Sequence, residues 1–468
     1  MKIKHLLFCV LLIAGISCTK KPAEYPMFWT WLEDLPDIDM ESAFTHMEEA
    51  GLDAVMLHAA SLDDYRKDVE IARRHGITVY AWVWTLNPPR QERTQLMEEH
   101  PDWFSVNRNG QSTLTHKAYV NSYKFLCPIL PEVQSYLVQK VKDICAIDGV
   151  EGICIDYCRL VDRVLPISLA YNYGLFQDGE VFPEYDFGYH PAMIAAFQAE
   201  YGYDPRDRED PSRDEAWNQF RCDRITEVAN LLCDAAHAAG KAVTASTFSG
   251  EGVSRFMVFQ DWGKWKLDLA HPMAYTDFYT MDPSFARDAT LQNQLAKGPG
   301  TTLMCGVDTE LGGDPERIFD KMDAAFSAGA KGISLYTVEG LESAGLRRRF
   351  KVYADSLRAL RAEGKLPATP GIAPSTDPFA NPGLMAVVER NIQRLVAGQP
   401  IHEKSVNGMV PDDLSVTYPA LDLSPYELAR ETDRIRVYNV TDNASGRRFE
   451  VIFVLFGDII SGWDVRSI

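Results

Sequence analysis

Two metal-holding patterns are missing from this 468-residue chain. It has no Cys-x-x-Cys pair and no His-Glu-x-x-His segment, which removes the usual zinc-ligand spacings. A disulfide framework is missing as well. Beyond Cys9 and Cys18 the cysteines are Cys127, Cys145, Cys154, Cys158, Cys222, Cys233 and Cys305, an odd set placed mostly in apolar segments, where a thiol packs as a small hydrophobe. No Lys/Arg-rich run offsets a net charge of −19, so a phosphate backbone finds no basic surface, and nucleic acid is excluded as a partner. A neutral, polyhydroxylated partner fits better. After the first 18 residues no stretch is apolar enough to cross a bilayer. No phosphate-type Gly-rich loop follows the first apolar run, and no organic cofactor or metal is implied.

What is present begins with a leader. Lys2 and Lys4 precede an apolar run over 6–13 and small residues ending in Cys18, the layout of a secretory signal over 1–18. Gly15-Ile16-Ser17-Cys18 resembles a bacterial lipobox, which implies lipidation of Cys18, export, and a membrane partner through that lipid anchor. Ordinary cleavage near Ser17, giving a soluble secreted protein, is the alternative.

From 25 to 366 short apolar runs alternate with longer segments of helical period, the pattern of parallel strands joined by crossover helices. Eight strands are expected, over 27–31, 54–58, 78–84, 152–158, 242–248, 267–275, 302–307 and 332–338. Helices are expected near 39–50, 63–75, 131–146, 212–239, 314–329 and 346–363, with shorter ones elsewhere. Gly51, Gly76, Gly240 and Gly329 stand where a helix stops and a strand begins. The fold class is therefore α/β, a (β/α)8 TIM barrel, with an open doubly wound sheet as the structural rival. A Pro- and Ser/Thr-bearing linker over 367–383 leads to a small α+β or β-rich domain over 384–468, with a helix near 384–397 and strands over 434–440, 447–456 and 459–465.

The chemistry concentrates in Glu151-Gly152-Ile153-Cys154-Ile155-Asp156-Tyr157-Cys158-Arg159. An apolar strand here delivers an acid at its C-terminal end, where barrel active sites sit and where an unpaired carboxylate is costly. The bland reading is that Asp156 caps the turn or pairs with Arg159 or Arg163. The segment resembles the glycosyl-hydrolase-like barrels related to family 10, whose fourth strand commonly reads Gly-Ile-x-x-Asp-Tyr-x-Arg. The resemblance runs from about Tyr25 to Gly364 and includes Tyr80-Ala81-Trp82-Val83-Trp84, Trp217 to Arg221, Gln260-Asp261-Trp262 with Trp265, and His271-Pro272-Met273-Ala274-Tyr275. It implies hydrolysis of O-glycosidic bonds in an oligo- or polysaccharide. Family-18 chitinases differ, because Cys154 and Cys158 stand where their strand keeps acids.

Glycoside hydrolysis ordinarily needs two carboxyl groups. The catalytic candidates are Asp156, Asp277 and Glu310, with Asp308, Glu339 and Asp261 as further acids near strand ends or in loops. Expected substrate contacts are Trp29, Trp84, His58, Tyr157, Arg159, Trp262, Tyr275, Asp308 and Glu339. The Trp-x-Trp pairs Trp29/Trp31 and Trp82/Trp84 each point to one side of a strand, and their rings either stack on a sugar or pack the barrel. His58 and His271 either bond hydroxyls or sit satisfied in the interior. A long loop over 161–190 carries Tyr171, Tyr173, Phe176, Phe182, Tyr185, Phe187 and Tyr189, either a wall of the catalytic face or a small core of its own. Two rival functions stay open: a glycan-binding lipoprotein without catalysis, and a metal-dependent barrel isomerase.

Overall fold

The computed structural model describes residues 24–309, 316–343, 345–366, 374–402, 410, 413 and 415–468. The leader with Cys18, the candidate Glu310 and the first part of the expected linker lie outside the described residues. Eight parallel strands close a barrel. They are Phe28–Glu33, Ala54–His58, Thr78–Trp84, Val150–Asp156, Ala242–Phe248, Leu269–Met273, Thr302–Leu303 continued by Cys305–Asp308, and Ile333–Tyr336. Closure is direct, since the eighth strand pairs with the first, Ser334 against Trp29. The open sheet is thereby ruled out.

The helices expected from periodicity are found as Met40–Ala50, Leu62–Arg74, Pro131–Cys145, Glu215–Ala238, Arg317–Ser327 and Arg347–Ala362. Their stops use the anticipated glycines: Gly51, Gly76, Gly240 and Gly329 have φ of 77°, 67°, 73° and 92°, a conformation that a Cβ disfavours. Further helices include Arg90–Glu99, Pro191–Tyr201, Glu251–Val258 and Ser284–Ala296, with short ones at Ile167–Ala170 and Val338–Ser343.

Strand pleating sorts the side chains into two cores. Trp29, Trp31, Met56, Tyr80, Trp82, Cys154, Leu269 and Met304 fill the barrel interior. Neighbours in the alternate positions, such as Phe28, Val55, Val79 and Ile153, pack outward against the helices. Gly152 has a packing reason to lack a side chain, because a Cβ there would lie 2.5 Å from the Tyr80 ring and 2.4 Å from the Ala242 carbonyl oxygen. The inward series Gly152, Cys154, Asp156 then carries the acid to the mouth of the barrel.

The C-terminal part is a separate antiparallel sheet of Glu427–Glu431, Ile435–Asp442, Arg447–Phe456 and Ile459–Ser467. Its two faces bury different things. Val451 and Phe453 pack with Leu384, Val388 and Ile392 of the helix Pro382–Val396. Ile452 and Val454, one step out of phase, join the core of the barrel and its helices. Polar ties reinforce the contact: Arg434 donates to Gly179 O (2.9 Å) and Trp463 Nε1 to Thr280 O (2.8 Å). Asp464 accepts from Tyr171 (2.9 Å), and Arg466 bonds Asp178 (2.8 Å). Tyr171 and Asp178 belong to the aromatic loop after the fourth strand, so the sheet grips a loop at the C-terminal end of the barrel strands.

Candidate active site

A cavity of about 400 Å³ opens at the C-terminal mouth of the barrel. Its wall is largely aromatic, with Trp31, Trp82 and Trp84 from the strands and Tyr173 from the long loop. Among the described residues three carboxylates line it: Glu33, Asp156 and Asp162. Such a surface offers ring faces to the C–H groups of a sugar and acids to its oxygens.

Asp156 is the last residue of the fourth strand and is only 7% exposed. Trp82 Nε1 donates to its Oδ2 at 2.8 Å, and the Tyr157 N–H donates to Oδ1 at 2.5 Å. Trp82 is itself inward-facing on the neighbouring third strand, so strand register aims the indole at the acid. Burial pushes the Asp156 carboxyl up to about 6, outweighing these two donors and the charge of Arg159, all of which act the other way. Tyr157 turns the chain out of the strand with φ of 53°, a left-handed conformation that costs a non-glycine residue about 1 kcal/mol. The turn sets the Tyr157 ring 5.1 Å from that of Trp84, making one corner of the cavity.

Arg159, expected as a substrate contact, lines the cavity and is paired within the chain. It donates to Asp162 at 2.8 Å, both residues being buried, and lies over the rings of Phe248 (5.0 Å) and Phe125 (5.1 Å). Asp162 is thus a neutralised wall residue. Tyr275 does line the cavity and stacks on Tyr336 at 5.1 Å.

Other expected contacts are placed elsewhere. Trp29 is fully buried in the barrel floor, where Nε1 donates to Pro26 O, so its ring is packing and not cavity surface. Trp262 is 2% exposed in the outer core, and Asp261 beside it is held by Arg255 and Lys264. His58 does not line the cavity but backs it: Nδ1 lies 3.1 Å from Trp82 O and the ring stacks on Trp84 at 5.1 Å. Burial pulls its pKa down to about 4, which leaves it neutral. His271 is fully buried, with its Nδ1 paired to Ser334 Oγ.

Of the expected second carboxylates, Asp277, Asp308 and Glu339 do not line the cavity with Asp156, and Glu310 lies outside the described residues. Lys321, buried on the helix Arg317–Ser327, bridges Asp308 (2.7 Å) and Asp277 (3.2 Å), and neither acid lines the cavity. Burial, and after it the charge of Asp308, raises the Asp277 pKa, so this cluster holds its charge between two acids and one ammonium. Glu339 is exposed and also outside the cavity wall. Among the described residues no three His, Cys, Asp or Glu side chains gather as a metal site.

Sequence reasoning missed Glu33. The first strand runs to Glu33, two residues past Trp31, and the period-two step from Trp29 and Trp31 brings this acid to the same inner face. It is half-buried, lines the cavity, and burial raises its pKa. The signal was available as the residue two beyond a Trp-x-Trp pair.

Comparison with known proteins adds a match over part of the chain. Residues 40–163, from the first helix to just past Asp162, match the family model described as Glycosyl hydrolase-like 10. No curated protein sequence matches the chain. Similar solved structures include the catalytic domain of a β-amylase from Paenibacillus polymyxa, 12% identical, with TM-score 0.49, covering 71% of this chain and 98% of that one. The glycoside hydrolase domain of PelA from Pseudomonas aeruginosa is 11% identical, with TM-score 0.37, covering 67% of this chain and 97% of that one.

Proposed function

We propose that this chain hydrolyses an O-glycosidic bond in an oligo- or polysaccharide, with Asp156 as the proton donor to the leaving oxygen. The observation that carries this reading is a buried carboxyl, poised near 6 and held by Trp82 and the Tyr157 N–H, in the wall of an aromatic cavity. The family match, which spans the fourth strand and Asp156, supports it. Sugar rings lie against Trp31, Trp84 and Tyr275, and the largely apolar wall keeps Asp156 protonated into the mildly acidic range.

The test is a polysaccharide panel read by reducing ends, with wild type and Asp156→Asn in parallel. Product from wild type alone supports the proposal. Saturable sugar binding with no product from either would replace it with a glycan-binding role.

Because the protonated form does the work, kcat/KM is expected to fall tenfold per pH unit above about 6, where Asp156 loses its proton. Trp82→Phe removes a donor that favours the ionised form, so the alkaline limb should move upward. An unmoved limb in that variant would mean that a different acid sets it.

We also propose export with lipid anchoring at Cys18, supported by the leader layout and the lipobox-like segment. Palmitate incorporation in a bacterial host should disappear in Cys18→Ala; its persistence would refute the anchor.

A further inference from the structure

We propose that His58 is a positioning residue: it donates from Nδ1 to the Trp82 carbonyl and stacks on Trp84, and so fixes the two indoles that meet the acid and the sugar. This rests on Asp156 being the proton donor. His58 ends the second strand, is buried, and reaches both tryptophans of the third.

Its two contacts differ in kind. Pairing of the second strand with the third stops at Leu57 opposite Ala81. One residue further on the imidazole takes over, with Nδ1 3.1 Å from Trp82 O. A carbonyl only accepts, so Nδ1 holds the hydrogen and the ring is the Nδ1–H tautomer. Burial, with the charge of Lys140 adding to it, pulls the ring pKa down to about 4 and keeps it neutral, against the opposing pull of Trp82 O and Glu92. The Tyr65 hydroxyl reaches the same carbonyl at 3.5 Å, so the imidazole is the shorter tie. The His58 ring stacks on Trp84 at 5.1 Å and 18°, and meets Trp82 edge-on at 6.3 Å.

Strand register carries these contacts to the site. Trp82 stands opposite Cys154 and Trp84 opposite Asp156. The Trp82 indole donates to Asp156 Oδ2 at 2.8 Å, and Trp84 lines the cavity. His58 does not line it, so its action passes through the two rings. Lys140, from the helix Pro131–Cys145, holds the same strand end by its Trp84 carbonyl at 3.2 Å. That tie fixes backbone alone, and the Trp84 ring is left to the imidazole.

Two variants separate the contacts. His58→Phe keeps a ring to stack but has no donor, whereas His58→Asn keeps a side-chain N–H near the Nδ1 position but has no ring. On the polysaccharide that wild type cleaves, His58→Phe is expected to lose roughly 10–10²-fold in kcat with KM little changed, the effect of a misplaced acid. Its alkaline limb should move upward, because a loosened indole favours the ionised Asp156 less. His58→Asn is expected to keep the limb in place and to raise KM about 2–10-fold, the worth of one aromatic pair. In a Trp82→Phe background, His58→Phe should move the limb no further. Proton–nitrogen NMR of wild type, with His58 identified by its contacts to the Trp84 ring, should show the neutral Nδ1–H tautomer at neutral pH. Variants that match wild type, or that lose kcat and KM together with no shift of the limb, overturn this proposal, as does a His58 ring protonated on Nε2; each leaves the role of Asp156 standing. Wild type without hydrolysis on any polysaccharide overturns the proposed function, and the positioning role with it.

Discussion

Asp156→Asn should lower kcat on a polysaccharide by about 10³-fold or more, the contribution typical of a positioned general acid, while making the fold less sensitive to pH. The two effects have one origin. An acid whose pKa is raised in the folded chain binds its proton more tightly there than in the unfolded chain. The contribution of Asp156 to stability is therefore largest below pH 3.8, declines as pH rises to about 6, and is then constant. A rise from 3.8 to about 6 corresponds to about 3 kcal/mol. Asparagine carries no charge to bury, so the variant escapes that decline. Urea unfolding of both proteins between pH 4 and 7 should show the difference moving in favour of the variant by up to about 3 kcal/mol. A difference that stays flat with pH would show that burial does not hold Asp156 protonated, and the acid role would lose its physical basis.

A loss of similar size is expected at a pair that does not line the cavity. Asp186, in the long loop after the fourth strand, pairs with Arg221 of the helix Glu215–Ala238 at 2.6 Å, and both side chains are fully buried. The Arg221 guanidinium also donates to Phe187 O and Asn218 Oδ1, and lies over the Phe259 ring at 4.0 Å. Arg163, buried beside it, donates to the same Asn218 oxygen, and its pKa is pulled down to about 9 by burial and then by Arg221. Asp186→Asn would leave two neighbouring guanidinium groups without their carboxylate. The expected cost is about 3–5 kcal/mol by urea unfolding, with much of it recovered in Asp186→Asn/Arg221→Met. A loss under about 1 kcal/mol would mean that water reaches this pair.

Much of this was legible in the chain before its structure. The second, third and fifth strands begin and end where apolar runs and flanking glycines put them, because strands buried on both faces write their length as hydrophobicity. Asp156 was located by the same logic. Glu33 escaped because the first apolar run stops at Leu32, so hydrophobicity does not mark the acid after it as the next inward position. Asp277 and Asp308 were visible as acids near strand ends, but their neutralisation depends on Lys321, whose helix packs back over them in a way that spacing does not encode. Glu427–Glu431 escaped for a simpler reason. Every residue in it is exposed, so no alternation marks it as a strand.

The C-terminal sheet shares a core with the barrel and holds Tyr171 and Asp178 of the aromatic loop. Excising it is therefore not subtraction. A chain cut after residue 366 would keep all eight barrel strands yet bare the apolar surface that Ile452 and Val454 cover and release the loop beside the cavity. Barrel and tail share one core and stand or fall together. A substitution in that loop must be tolerated by the sheet that grips it.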